Sequence, residues 1–317
     1  MPHETTAGTA PATGTSAPHE IGSVTRRAPV RDRVAGAPIS WGVCEVPGWG
    51  FQLDAATVLT QMRELGLAAT EFGPDGFLRG EPSAKADQLA SYGLRAVGGF
   101  LPVLLHDPGH DPLPEVDRFI DSCLATGAGV VVLAAFTGVD GYDARPALDE
   151  AGWATLLGHL DAISDHAAAR GVVAALHPHV GTMVETGDDT ERVLAGSRVG
   201  LCVDTGHLLV GGGDPVAITA AHPHRVVHVH LKDVDGAAAA RVRTGETTFG
   251  DAVRDGMFRP LGDGDVDIAA MVRTLEAAGY TGWYVLEQDV KLQGPDQAGS
   301  PHDDVQRCLD YLARVAG

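Results

Sequence analysis

Imidazoles and carboxylates gather in four short stretches of the 317-residue chain: Leu176-His177-Pro178-His179, Val203-Asp204-Thr205-Gly206-His207, His228-Val229-His230-Leu231-Lys232-Asp233 and Leu286-Glu287-Gln288-Asp289. Each closes or continues an aliphatic run, so each reads as a strand end. Side chains repeat with a period of two along a strand, so His177 and His179 share a face, as do His228 and His230. If those faces look toward one centre, nitrogen and oxygen donors meet there in a set suited to Mn²⁺, Co²⁺, Fe²⁺ or Zn²⁺. Without a cation, Asp204 and Glu287 would be carboxylates in a partly desolvated mouth, which is costly. Plainer roles stand beside this one. A strand-end histidine is often only hydrogen-bonded, Asp204 suits a helix cap, and Glu287 suits an ion pair. Lys232 suits a surface pair with Asp233, and His222 and His224 read as surface. Four such ends in consecutive units favour the metal reading.

The elements that must position these residues follow from periodicity. Strands are expected at 37–40, 68–72, 94–100, 129–134, 172–176, 199–204, 226–231 and 282–286. Helices are expected at 55–65, 83–92, 113–126, 153–170, 216–221, 268–278 and 303–313. Several helices end in a glycine stop, as at Gly66, Gly93, Gly171 and Gly279. Eight β-then-α units favour a closed (β/α)8 TIM barrel over an open sheet. The first strand runs into Ser40-Trp41-Gly42, with no GxGxxG fingerprint, and no nucleotide-binding motif occurs elsewhere. The stretch 233–267 is long for a βα connection and is expected to cover a site, its 258–267 part closing as a tight loop.

Residues 1–33, rich in Thr, Ala, Pro and Gly, read as a flexible, disordered N-terminal tail with a solvated charged end, and 34–317 as one barrel domain. The chain is 44% hydrophobic and carries a net charge of −19, which disfavours nucleic-acid and anionic membrane partners. Mean hydropathy is +0.02, and no apolar run approaches a bilayer span. Four cysteines without a CxxC spacing read as reduced thiols of a cytoplasmic protein.

Taken in order, GAPISWGVCE, TEFGPDGFL, LHPHVGTMVET, VDTGHL, HVHLKD, FRPLGDGDVD and GYTGWYVLEQD resemble the inosose dehydratase branch of the xylose-isomerase-like sugar isomerase/epimerase superfamily. The resemblance spans roughly residues 34–290. It implies a metal-dependent barrel acting on a keto sugar or keto cyclitol, with Mn²⁺ or Co²⁺ as leading cation and Mg²⁺ a further option. The superfamily's ligand quartet is Glu, Asp, His and Glu. Asp204, His230 and Glu287 match three places; His177 stands where the first Glu is usual, with His179 a rival ligand. Two metal-bound glutamates suit epimerisation, whereas one suits elimination from a substrate such as 2-keto-myo-inositol. On that reading Glu287 is the base, with His179 second. His207 donates to the leaving hydroxide or binds substrate hydroxyls, and Lys232 faces the developing oxyanion. Trp41 and Glu71 would line the substrate side. Isomerase or epimerase chemistry at the same site, β-elimination from a 3-keto glycoside, and a non-catalytic sugar-binding barrel remain alternatives. A homo-oligomer is compatible with all of them.

Overall fold

The computed structural model describes residues 27–139 and 141–315. Its strands in chain order are β1 (Val34–Gly36), β2 (Ala69–Thr70), β3 (Arg95–Ala96), β4 (Gly98–Val103), β5 (Val130–Ala135), β6 (Val173–Leu176), β7 (Gly200–Asp204), β8 (Val226–Leu231), β9 (Asp233–Val234), β10 (Phe258–Arg259) and β11 (Tyr284–Leu286). Nine of them form a parallel sheet in the order β3-β2-β1-β11-β8-β7-β6-β5-β4, while β9 and β10 pair antiparallel. The sheet's two ends, β3 and β4, are halves of one stave interrupted at Val97. The Val97 amide donates to Thr70 on one side, and its carbonyl accepts from Gly129 on the other. The sheet therefore wraps into the expected eight-stave barrel. Central runs such as Val131–Ala135 are fully buried, as strands covered on both faces must be.

The helices are α1 (Ala55–Glu64), α2 (Pro82–Ser91), α3 (Leu113–Thr126), α4 (Glu150–Ala169), α5 (Gly187–Gly196), α6 (Thr205–Val210), α7 (Pro215–Ala221), α8 (Gly236–Arg243), α9 (Phe249–Arg254), α10 (Ile268–Ala277) and α11 (Ser300–Val315). Aspartates cap many of them: Asp54, Asp149, Asp204, Asp214, Asp235 and Asp267 each accept from a first-turn amide. Part of the acid surplus is thus used in starting helices. The glycine stops behave as expected; Gly171, with φ of 78°, turns α4 directly into β6.

Three expectations need correction. The first strand lies at Val34–Gly36, not 37–40, because Pro38 opens a 3-10 turn through Trp41. Four helices escaped the periodicity. Two of them, α8 and α9, fill the long connection after β8, where α8 is Ala-rich with little amphipathic contrast and α9 is only six residues long. Finally, the end of the expected tail is packed. Arg33 is buried, donating to the Tyr280 and Gly282 carbonyls and pairing with Glu276 at 2.6 Å, and Arg27 pairs with Glu276 as well. These contacts seal the barrel's amino-terminal end. Residues 1–26 lie outside the described part.

Cys123, Cys202 and Cys308 are buried and Cys44 half-buried, all unpaired. No helix among the described residues is long and apolar enough to cross a membrane.

Candidate metal centre

Barrel register decides which side chains meet. Asp204, last residue of β7, sits opposite His230 on β8, and His230 opposite Val285 on β11. A bulge between β7 and β8, at Leu201/Cys202, sets this alignment. Glu287 follows β11, its amide donating to Leu231, and His177 follows β6, its amide donating to Leu133. All four stand at the carboxyl ends of the staves, where barrel sites are built.

Their donor atoms converge. Asp204 Oδ2 lies 3.2 Å from His177 Nε2 and 3.5 Å from His230 Nδ1, and His230 Nδ1 lies 3.1 Å from Glu287 Oε2. Yet His177 Nε2, Asp204 Oδ2 and His230 Nδ1 are buried without a hydrogen-bond partner. These are close ionic contacts between buried groups rather than well-formed hydrogen bonds, and Asp204 Oδ2 also has the Lys232 ammonium at 3.2 Å. Ligands bound to one cation at about 2.1 Å stand roughly 3.0–3.4 Å apart, close to the spacing seen. Orphaned lone pairs in a buried set of two imidazoles and two carboxylates fit a divalent cation. Asp204 also fills its plainer role: Oδ1 caps α6 by accepting from the His207 amide at 2.8 Å, leaving Oδ2 for the centre.

Glu71, at the end of β2, reaches across the lumen. Its Oε1 accepts from His228 Nε2 at 2.7 Å and His230 Nε2 at 3.0 Å. Burial works against its charge, but His230 and His228 together hold the carboxyl below the usual range. Glu71 therefore turns His230 so that Nδ1 faces Asp204 and Glu287, the carboxylate–imidazole arrangement common behind metal ligands. It also borders the cavity.

Lys232 is no surface residue. Its ammonium is buried, 3.2 Å from Asp204 Oδ2, 3.0 Å from Glu287 Oε2, 2.8 Å from Asp289 Oδ1 and 2.9 Å from His207 Nε2. Burial disfavours the charge, but Asp204, Asp289 and Glu287 outweigh it and raise the lysine well above its usual value. Its sequence neighbour Asp233 instead accepts from the amides of Val234, Gly262, Gly264 and Val266. This pins the 258–267 loop beside Lys232, and the loop does not line the cavity. Asp289, which the sequence placed at a strand end without a role, joins the site; burial raises its carboxyl to about 6 against the pull of Lys232.

A cavity of about 520 Å³ opens over this centre and is bordered by His177, His179, Lys232, Glu287 and Asp289. His179 does not face Asp204. Its Nδ1 is 2.7 Å from the Val180 carbonyl, and its ring lies 3.6 Å from that of His207 and 4.6 Å from that of Tyr142, centre to centre. Burial first, then His177 and Lys232, push its pKa well below the histidine norm. His207 is fully buried behind Lys232 and does not border the cavity. Trp41 is also displaced from the substrate side: it is fully buried, with Nε1 donating to Gln61 on α1 at 2.7 Å. The aromatic wall is built by Trp49, Phe72, Phe100, Phe119 and Tyr142 instead. Tyr142 donates to Glu45, joining two connections above the mouth.

The profile of the xylose isomerase-like TIM barrel family matches residues 59–314. The chain belongs to that family. Among curated relatives, the rhizopine catabolism protein MocC of Rhizobium meliloti is 35% identical, covering 90% of this chain and 88% of its own. An inosose dehydratase of Geobacillus kaustophilus (strain HTA426) is 31% identical, covering 89% of this chain and 94% of its own. Solved structures share the fold. The IolI protein with a bound zinc atom superposes with a TM-score of 0.66 at 14% identity, covering 90% of this chain and 98% of its own. The probable 3-DHS dehydratase AsbF from Bacillus anthracis gives 0.62 at 14%, covering 89% and 98%.

Proposed function

We propose that this protein is a divalent-metal-dependent dehydratase acting on a keto cyclitol or keto sugar, with 2-keto-myo-inositol as the leading substrate. The observation that carries the reading is a pair of buried triads that share Asp204, His177-Asp204-His207 and Asp204-His230-Glu287, with His177 and Glu287 bordering the cavity. Inosose dehydratases at about 30% identity along nine tenths of the chain support it. His177, Asp204, His230 and Glu287 would hold the cation, Mn²⁺ or Co²⁺ first, which when bound supplies Lewis-acid polarisation of a ketone oxygen.

The chain's own groups do the rest. Glu287 presents its carboxylate to the cavity and removes the proton from the carbon beside the ketone. Lys232, the buried cation bordering the same space, faces the negative charge that then develops on oxygen. Hydroxide leaves the neighbouring carbon as water, taking the proton that Glu287 removed, while the neutral His179 imidazole at the cavity wall holds a substrate hydroxyl in place. His207 acts on Lys232 rather than on substrate. With His177 where the superfamily usually has a glutamate, one carboxylate base remains, which suits elimination better than symmetric proton exchange between two faces.

The test is a purified-protein assay with added Mn²⁺ or Co²⁺. New ultraviolet absorbance from 2-keto-myo-inositol supports dehydration, whereas isomer formation from free ketoses without it supports an isomerase. His177→Ala should strip metal from the protein, while His179→Ala should retain metal and lose turnover by about 10²–10⁴-fold. The opposite pattern exchanges the two roles.

A further inference from the structure

Lysine is scarce in this chain: three residues against twenty arginines. Two of them, Lys85 and Lys232, line the cavity, and the third, Lys291, lies against its wall with its ammonium 4.8 Å from the ring centre of Trp49. Carboxylates surround Lys232. Lys85 is different. It projects from α2 with its ammonium 4.5 Å from the ring centre of Phe72 and 3.3 Å from Ser122 Oγ on α3. Among the described residues, no carboxylate pairs with it. Arg118, one turn before Ser122 on α3, and Arg79 at the rim border the same space and are likewise without an ion-pair partner among those residues. The acids away from the metal centre are Glu115, engaged by His110 at 3.1 Å, Glu45, engaged by Tyr142, and Asp75. With 42 acidic against 23 basic residues in the chain, cations left unpaired in a cavity call for a ligand.

This cationic end is continuous with the metal centre. Glu71, which orients His230, is followed directly by Phe72, whose ring carries Lys85. On the facing side, Phe100 lies 5.8 Å from the His177 ring and 5.5 Å from the His179 ring. The whole space, about 520 Å³, exceeds what an inosose needs. A dozen non-hydrogen atoms, each granted a water molecule's share of liquid, take at most about 360 Å³.

We propose that this outer chamber is an anion subsite: the substrate is a polyhydroxylated ketone bearing an acidic substituent, a carboxylate or phosphate, which Lys85 and Arg118 receive while the ketone lies at the metal centre. The proposal rests on the keto-polyol reading above: 2-keto-myo-inositol is the minimal core taken at the metal centre, and the acidic substituent adds contacts in the outer chamber. A compact ammonium seated against a phenyl face suits the enclosed position, and the planar, rigid guanidinium fork of Arg118 suits a bidentate partner.

The test is equilibrium binding of D-glucuronate and myo-inositol 1-phosphate against neutral myo-inositol, by calorimetry on the full-length protein at low salt. The charged polyols should bind roughly tenfold tighter or better. That ratio should shrink at least fivefold in Lys85→Met and in Arg118→Met, and should fall with added salt. The larger ratio assigns carboxylate or phosphate. Arg118 is exposed on α3, so its variant carries the test if Lys85→Met does not fold. Equal binding of charged and neutral polyols, a ratio retained in the variants, or no charged-polyol binding at about 1 mM overturns the proposal. Binding needs no turnover, so a charge preference without dehydration would sink the lyase reading alone, and dehydration without a charge preference would sink the subsite alone.

Discussion

Asp204 shows how one side chain serves fold and chemistry together, Oδ1 starting α6 and Oδ2 facing the centre. Asp204→Asn keeps an oxygen for the cap but presents a neutral ligand and takes a carboxylate from the buried Lys232, so metal affinity should drop at least tenfold and stability should fall with it, as read by metal titration beside urea unfolding. Trp41 makes the contrasting case. It is fully buried with its indole N–H bonded to Gln61, so Trp41→Phe should cost about 1–3 kcal/mol of stability and leave KM alone; a raised KM at unchanged stability would return it to the substrate wall. The four polar strand ends were legible because period-two spacing and residue type report which groups share a face. The jobs of Glu71, Asp289 and Trp41 were not. They depend on which groups lie across the lumen, and spacing along one strand does not encode that.

Among the elements, the β9–β10 ribbon and the loop after it gather most of their side-chain-to-backbone bonds on one carboxylate. Asp233 accepts four backbone amides between Val234 and Val266, leaving Lys232 free of its neighbour. Asp233→Ala should destabilise the protein by about 2–4 kcal/mol and speed amide exchange selectively across 258–267; unchanged exchange there would show the loop is held by other contacts. The eight β-then-α units were readable because apolar runs and glycine stops alternate along the chain. The first strand slipped by three residues because Ala37-Pro38-Ile39-Ser40 carries strand-like residues around a proline that prefers the turn. The short helices α6, α8 and α9 were hidden because six to eight residues give too few turns for an amphipathic pattern.

At the scale of the molecule, the barrel concentrates buried titratable groups at one end, so pH and metal should act on the whole fold through that end. His179 is held well below its unfolded value of 6.5, first by burial. A depressed folded pKa contributes stability above the unfolded value and loses it as pH falls through the folded one. In the presence of a chelator, lowering pH from about 7.5 to 5.5 should therefore destabilise wild type more than His179→Gln, by urea unfolding at each pH. Equal slopes would mean that His179 is not a buried neutral imidazole. The central claim is that His177, Asp204, His230 and Glu287 hold a cation between them, and calorimetric titration of the chelator-stripped protein with Co²⁺ tests it most directly. The account predicts one cation per chain, stabilisation by about 2.7 kcal/mol at a hundredfold excess over Kd, and loss of both in His177→Ala; an absence of binding, or binding that survives removal of His177 and Asp204 alike, would contradict it.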